Sequence, residues 1–473
     1  MTTSPLAVLM PGFVGTELPD WLAARLRDGL GGVCIFGGNI TSRPQLRELT
    51  AAIYAANPDA LIAIDEEGGD VTRLYYDQGS PYPGNAILGR IDDVELTESV
   101  ARTVGWQLRR TGVNLDFAPD VDINSNPDNP VIGVRSFGTD PGLVARHSAA
   151  WTRGLQSTAV AVSAKHFPGH GDTAQDSHLA LPVVDLPLEA LRERELVPFV
   201  ASIEAGAKTI MTSHILLPQL DAANPATFSR RILQELLRDD LGFRGVIVSD
   251  ALDMVGASGE LGIPEAAVRA VAAGCDLLCI GTDNTDEQLG QIAAALEGAV
   301  ADGRLEGARL ADAGTRNVGL ARELAGVASA SHIVGDDVEP TFDLARTAAA
   351  FDVVPGVAVA VDRTLVSLET VANIAVGVAP WGPPVSSRVS AGGTLPAVAG
   401  QLVLVGKDNH RHDWVRALVT EARRSHPDVI VVDMGWPGDD RAYADVATFG
   451  ASKHVSQALL AWLENTALPK GTQ

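Results

Sequence analysis

The 473-residue chain is short of cysteine, of basic charge and of long apolar runs, and each shortage narrows what it can be. Only Cys34, Cys275 and Cys279 occur, an odd number in apolar surroundings. That argues against a disulfide framework and fits reduced thiols in a core. Cys275 and Cys279 have no matching second pair, so a zinc site built on them is not indicated. Against 59 acidic residues stand 36 Lys and Arg, leaving a net charge of −23. So acidic a surface repels phosphate backbones and anionic lipid heads, and neither nucleic acid nor a membrane is an expected partner. No apolar run reaches the roughly 18 to 20 residues that cross a bilayer. The opening "MTTSPLAVLMPGF" has no basic n-region and no small-residue cleavage site. No signal peptide is therefore expected, and the expected location is cytoplasmic.

The chain does have enough apolar residues, 46%, for sizeable cores, and its length suggests two or three domains. Short apolar runs rich in β-branched residues fall at 6–13, 31–40, 61–69, 113–123, 160–171, 209–218, 245–254 and 276–281. Such runs suit strands buried on both faces of a parallel sheet. Helical patterns lie between them, at 95–112, 142–156, 188–206 and 229–242, the last with Ser229 placed to cap it and Gly242 to stop it. The alternation predicts a (β/α)8 TIM-type barrel over residues 1–327, with a doubly wound sheet as the alternative. A polar linker with Gly and Pro covers 328–345. A smaller C-terminal α/β domain of unknown role follows over 346–473, with strands expected at 357–362, 401–408 and 428–438. It carries no GxGxxG or P-loop.

A barrel places its chemistry at the C-terminal ends of its strands. Polar residues do follow the apolar runs: Asn39, Asp65 and Glu66, Asp120 and Asp122, Lys165 and His166, Ser213 and His214, Ser249 and Asp250. The densest stretch is "KHFPGHGDTAQDSH", 165–178. It has four readings. His166, His170, Asp176 and His178 could ligate a metal, although Lys165 puts a cation beside the first. A phosphate cradle lacks the GxxxxGK[ST] spacing. A structural loop with incidental histidines is the third. The fourth is acid–base catalysis. In an extended segment Asp176 and His178 share a side, so the carboxylate can orient the ring and raise its basicity. Glycines 169 and 171 would let such a dyad close over a substrate. Asp250 ends a strongly apolar strand, where an isolated carboxylate is costly unless it works or is paired. A carboxylate nucleophile facing a proton donor is the machinery of retaining glycoside hydrolysis. Asp253 competes within the same motif but falls past the strand end, where a helix cap is expected.

Taken together, "GGVCIFGGN", "IDEEGGDVTRL", "NLDFAPDVDINSNPDNPVIGVRSFG", "KHFPGHGDTAQDSHLALP", "AGAKTIMTSHILLP", "NPATFS" and "GFRGVIVSDALDM" resemble glycoside hydrolase family 3. The "DSH" element points to its β-N-acetylglucosaminidase branch. The resemblance implies that Asp250 is the nucleophile and that Asp176 and His178 form the acid/base. It also implies that Asp65, Arg73, Arg135, Lys165 and His166 grip the sugar in the −1 subsite. No cofactor and no metal are expected. The implied substrate is an amino-sugar oligosaccharide from cell wall or chitin, with inorganic phosphate as an alternative acceptor to water. A β-glucosidase or an N-acetylglucosaminide phosphorylase of the same family is the alternative activity. From other classes, a non-catalytic sugar-binding barrel and a metal-dependent hydrolase are the rivals. Two positions depart from the family pattern: Glu66, where a glutamine is usual, and Asp70, where a basic residue is usual. Both are expected to add negative charge near the rim.

Overall fold

The computed structural model describes residues 4–468 except 176–180, 260, 334–336 and 371–373. Each of the eight apolar runs contains a strand: β1 Leu9–Pro11, β2 Gly32–Ile35, β3 Leu61–Ile64, β4 Leu115–Asp116, β5 Ala161–Phe167, β6 Thr209–Thr212, β7 Val246–Ser249 and β8 Leu277–Gly281. They form one parallel sheet that runs round in chain order, from β1 beside β8 down to β2. This is the expected (β/α)8 barrel rather than a doubly wound sheet. The strands are short, and their inward residues meet in the interior. There Met10, Cys34, Leu61, Ala63, Leu115, Ala161, Met211, Val248, Leu277 and Cys279 pack together. Leu320 and Leu324 of the helix Gly307–Ala330 join the same cluster. The three cysteines are free and buried. No helix among the described residues is long and apolar enough to cross a membrane.

The helices Val94–Arg110 and Pro141–Gln156 lie where their periodicity places them. The helix expected at 229–242 is seen as Arg231–Asp240, with the Ser229 hydroxyl accepting from the Ile232 N–H at 3.3 Å. The expected helix at 188–206 is broken. It forms two pieces, Leu188–Glu193 and Val197–Glu204, with Pro198 in the first turn of the second. Proline has no N–H to donate and its ring clashes with the carbonyl four residues back, which here belongs to Arg194.

The chain divides into two compact units, and the second is not one continuous segment. It comprises 68–93, 133–138 and 339–473, the first unit taking the rest. The reason is hydrophobic. Ala86 and Ile87 are buried in a cluster with Val403, Val405, Val432, Val446, Val455 and Leu459, so the excursion after β3 completes the second core. That unit holds β9 Asp352–Val353, β10 Val359–Ala360, β11 Arg363–Leu368, β12 Ser387–Val389, β13 Gln401–Gly406, β14 Val429–Asp433, β15 Val446–Ala447 and β16 Ala467–Leu468. Its main sheet has the order β12-β11-β13-β14-β15-β9, parallel except for β9. Strand β11 is too polar at its start to stand out as an apolar run.

The same excursion corrects the expectation about Asp70. Its carboxylate is buried, pairs with Lys407 and accepts from the Ala451 N–H at 2.8 Å, all within the second unit. Burial pulls the Lys407 ammonium down, but Asp70, then Asp408 and Asp433, outweigh it, and its pKa lies above the usual lysine value. Asp70 is thus neutralised rather than adding to a rim charge. Lys407→Met should leave the Asp70 carboxylate buried and uncompensated. The expected loss is about 3–5 kcal/mol of stability in the second unit, read from the urea midpoint.

Candidate active site

The barrel strands deliver their polar residues at their C-terminal ends. Asp65 follows β3, and Lys165 and His166 lie near the end of β5. The Lys165 ammonium, 2% exposed, bridges Asp65 at 2.6 Å and Glu67 at 2.8 Å. A buried ammonium is tolerated only when paired and hydrogen-bonded. Here two carboxylates share it, so Asp65 is fixed in place while one-fifth of its side chain remains exposed.

His166 is oriented by Asp122, a carboxylate that accepts from the His166 Nδ1 at 2.6 Å, from the His166 N–H at 3.2 Å and from the His170 N–H at 2.6 Å. The Nδ1 proton is thereby committed, which fixes the ring's direction and tautomer. Asp120, Asp122 and His166 lie close enough to be considered as metal ligands. The Asp122 oxygens, however, are already engaged by the donors just named. Beside them the His170 ring stacks edge-on against His166, with centroids 5.8 Å apart. Burial, then the His166 charge, lowers the His170 pKa to about 4, so it is neutral in the physiological range. Its Nδ1 lies 2.8 Å from the Thr173 hydroxyl.

The segment 165–175 is held from below. The Asn129 amide donates to the carbonyls of His170 and Gly171 at 2.8 and 3.0 Å, while its own carbonyl accepts from the Val131 and Ile132 N–H groups. Gly171 approaches so closely that a Cβ there would lie 1.6 Å from the Ile123 carbonyl oxygen. Only glycine fits. Asp176 and His178 lie outside the described residues.

Asp250 follows β7 directly and is half-buried, with its Oδ1 accepting from the Ala251 N–H at 2.8 Å. Its charge is close enough to act on His170. The His214 Nε2 donates to the Ala251 carbonyl at 3.0 Å and so braces the turn that presents Asp250. Ser249 accepts from the Cys279 N–H and is part of the framework. Asp253 does not cap a helix. Its carboxylate accepts from the Thr282 N–H at 3.0 Å, and the position before the next helix is Met254.

Glu66 is fully buried rather than at the rim, and its N–H donates to the Asp116 carboxylate at 2.9 Å. Burial drives the Asp116 pKa well above the usual range, with the Glu66 and Asp65 charges adding and Lys165 opposing. Asp116 thus lies buried beside Glu66, near the Asp65–Lys165 pair. Arg73 and Arg135 belong to the second unit. The Arg73 guanidinium donates to the Ala375 carbonyl at 2.9 Å and lies over the Tyr76 ring. Arg135 is buried, and the Asn85 amide donates to its carbonyl at 2.7 Å. The sequence reading missed Asp122 and Glu67 as orienting groups. The alternation in "DVD" was a usable signal for Asp122, because residues two apart on an extended segment point the same way.

Comparison with known proteins extends this picture. Residues 16–319 match the glycosyl hydrolase family 3 N terminal domain. The β-hexosaminidase of Stenotrophomonas maltophilia (strain K279a) is 39% identical over 283 residues, covering 58% of this chain and 83% of that protein. Beta-hexosaminidase A of Pseudoalteromonas piscicida is 38% identical over 285 residues, and the match spans only 48% of its length. Among solved structures, a family 3 β-N-acetylglucosaminidase from Paenibacillus sp. str. FPU-7 superposes with a TM-score of 0.87 at 30% identity, over 100% of this chain and 98% of that one. The family model spans well over half of the chain, and the chain belongs to glycosyl hydrolase family 3.

Proposed function

We propose that the protein is a retaining exo-β-N-acetylglucosaminidase that releases terminal β-linked N-acetylglucosamine from cell-wall or chitin-derived fragments in the cytoplasm. The observation that carries this reading is Asp250. It is a half-buried carboxylate at the C-terminal end of β7, in the barrel that presents Asp65, Lys165 and the Asp122-oriented His166 at the ends of β3 and β5. In the proposed chemistry an Asp250 oxygen attacks the anomeric carbon as His178, oriented by Asp176, gives its proton to the departing glycosidic oxygen. His178 then takes a proton from water, which attacks the same carbon and releases Asp250. Asp65 and Lys165 hold adjacent sugar hydroxyls and His166 a further one. The names of the Stenotrophomonas and Paenibacillus relatives support the amino sugar as substrate.

Product analysis on N,N′-diacetylchitobiose and on a muropeptide tests the reading, in buffers with and without phosphate. Free N-acetylglucosamine is the expected product in both buffers. N-Acetylglucosamine 1-phosphate formed only with phosphate would make phosphate the acceptor. Paired aryl glycosides should show a strong preference for the 2-acetamido sugar, and equal or better turnover of the glucoside would point to a β-glucosidase.

A further inference from the structure

The break in the 188–206 helix has a consequence for the loop that leads to His178. A continuous amphipathic helix would leave "RERE" on a solvated face. Instead the backbone turns at Arg194, φ −127° and ψ −78°, and directs Arg194 and Glu195 under the 165–175 segment. Glu195 is 1% exposed. Its Oε1 accepts from the Arg194 Nε at 2.6 Å and faces the Ser125 hydroxyl at 3.5 Å, while its Oε2 is buried with no hydrogen-bond partner among the described residues. The other end of the Arg194 guanidinium donates to Asp172 at 2.6 Å. Gly169, at φ +127°, lies against Glu195: a Cβ there would be 2.8 Å from the Glu195 Cβ. Arg194 therefore ties Asp172, four residues before Asp176, to a buried carboxylate whose side chain packs against Gly169. An ionic arrangement built on a buried carboxylate is a poor source of stability compared with apolar packing, and its best-attested use is to fix one geometry among several.

We propose that Arg194 and Glu195 are positioning residues that clamp the 168–175 segment, so that the Asp176–His178 dyad reaches the leaving-group oxygen. The proposal rests on reading the dyad as the acid/base. Facing Glu195 are Arg194 on its own segment, Asp172 on the loop, and Asp122 and Ser125 on the stretch after β4. Burial pushes the Glu195 carboxyl up to about 7, with Arg194 opposing and Asp122 and Asp172 adding. The clamp thus changes charge within the working pH range: Glu195 is neutral below about 7 and fully ion-paired with Arg194 above it.

The experiment compares kcat/KM on diacetylchitobiose, a poor leaving group, and on an activated dinitrophenyl glycoside. Arg194→Gln, Asp172→Asn and Glu195→Gln are set beside His178→Ala. Arg194→Gln should lower chitobiose turnover roughly tenfold or more and the activated substrate by less than about threefold, because only the former needs the acid. Asp172→Asn, a small change at a partly exposed site, should act in the same direction and add little to Arg194→Gln in the double variant. In the wild type the ratio of the two rates should change through about pH 7, and Glu195→Gln should make it flat there. Arg194→Lys should restore only part of the loss, since a single ammonium nitrogen does not reproduce the separate Nε and Nη2 donors that reach Glu195 and Asp172. If His178→Ala discriminates between the substrates and the Arg194 and Asp172 variants do not, the clamp is refuted and the acid/base reading stands. If His178→Ala itself does not discriminate, both fall.

Discussion

Asp250→Asn should abolish turnover while leaving binding of N-acetylglucosamine nearly unchanged. The substitution keeps the side chain's shape and its acceptor for the Ala251 N–H, so the turn after β7 should be preserved. What it removes is the charge and the nucleophilic oxygen. Loss of a covalent nucleophile typically costs on the order of 10⁴-fold or more in kcat. A loss of 10⁴ corresponds to about 5.5 kcal/mol of transition-state stabilisation. With the sugar held as proposed by Asp65, Lys165 and His166, calorimetric affinity for the product sugar should change by less than about threefold. A comparable loss on replacing Asp253, with Asp250→Asn still active, would reverse the assignment. The geometry disfavours that outcome, because the Asp253 carboxylate is occupied by the Thr282 N–H.

The second large effect concerns His178. A general acid matters most when the leaving group is poor, because an activated phenolate departs with little protonation. His178→Ala should lower turnover of a natural disaccharide by roughly 10²- to 10⁴-fold and that of an activated aryl glycoside far less. In the proposed mechanism breakdown of the glycosyl-enzyme uses the same residue as base, so intermediate should accumulate and a product burst appear. Asp176→Asn should give a milder version by mis-setting the imidazole tautomer. If both substrates fall equally and chelators mimic the mutant, His178 is a metal ligand. If neither falls, the loop is structural.

The barrel was legible because strands buried on both faces are written as uninterrupted apolar runs. Their polar successors mark the end where loops carry chemistry. Asp65, Lys165, His166 and Asp250 do stand at strand ends, where position alone placed them, while the roles assigned to them came from the resemblance. The division into two units was not legible in full. Nothing in "AILGRI" tells that Ala86 and Ile87 are buried with strands more than three hundred residues later in the chain. For the same reason Arg73 and Arg135 gave no sign that they belong to the second unit. The negative rim expected from Glu66 and Asp70 failed because sequence shows charges but not partners. One carboxylate is buried against Asp116, and the other is cancelled by Lys407. The 188–206 helix failed in an informative way. Pro198 stood in plain view, and a local rule that breaks next to the 165–175 segment is a place to look for function.

The central claim is a covalent sugar on Asp250, and trapping tests it most directly. A slowly turned-over fluorinated amino-sugar substrate, followed by digestion and mass spectrometry, should place the label on Asp250 in the peptide "GVIVSDALDM". The first-formed anomer, read by NMR with an unmodified aryl glycoside, should be β. A label on another residue, or no label with an α-anomer as first product, would contradict the account.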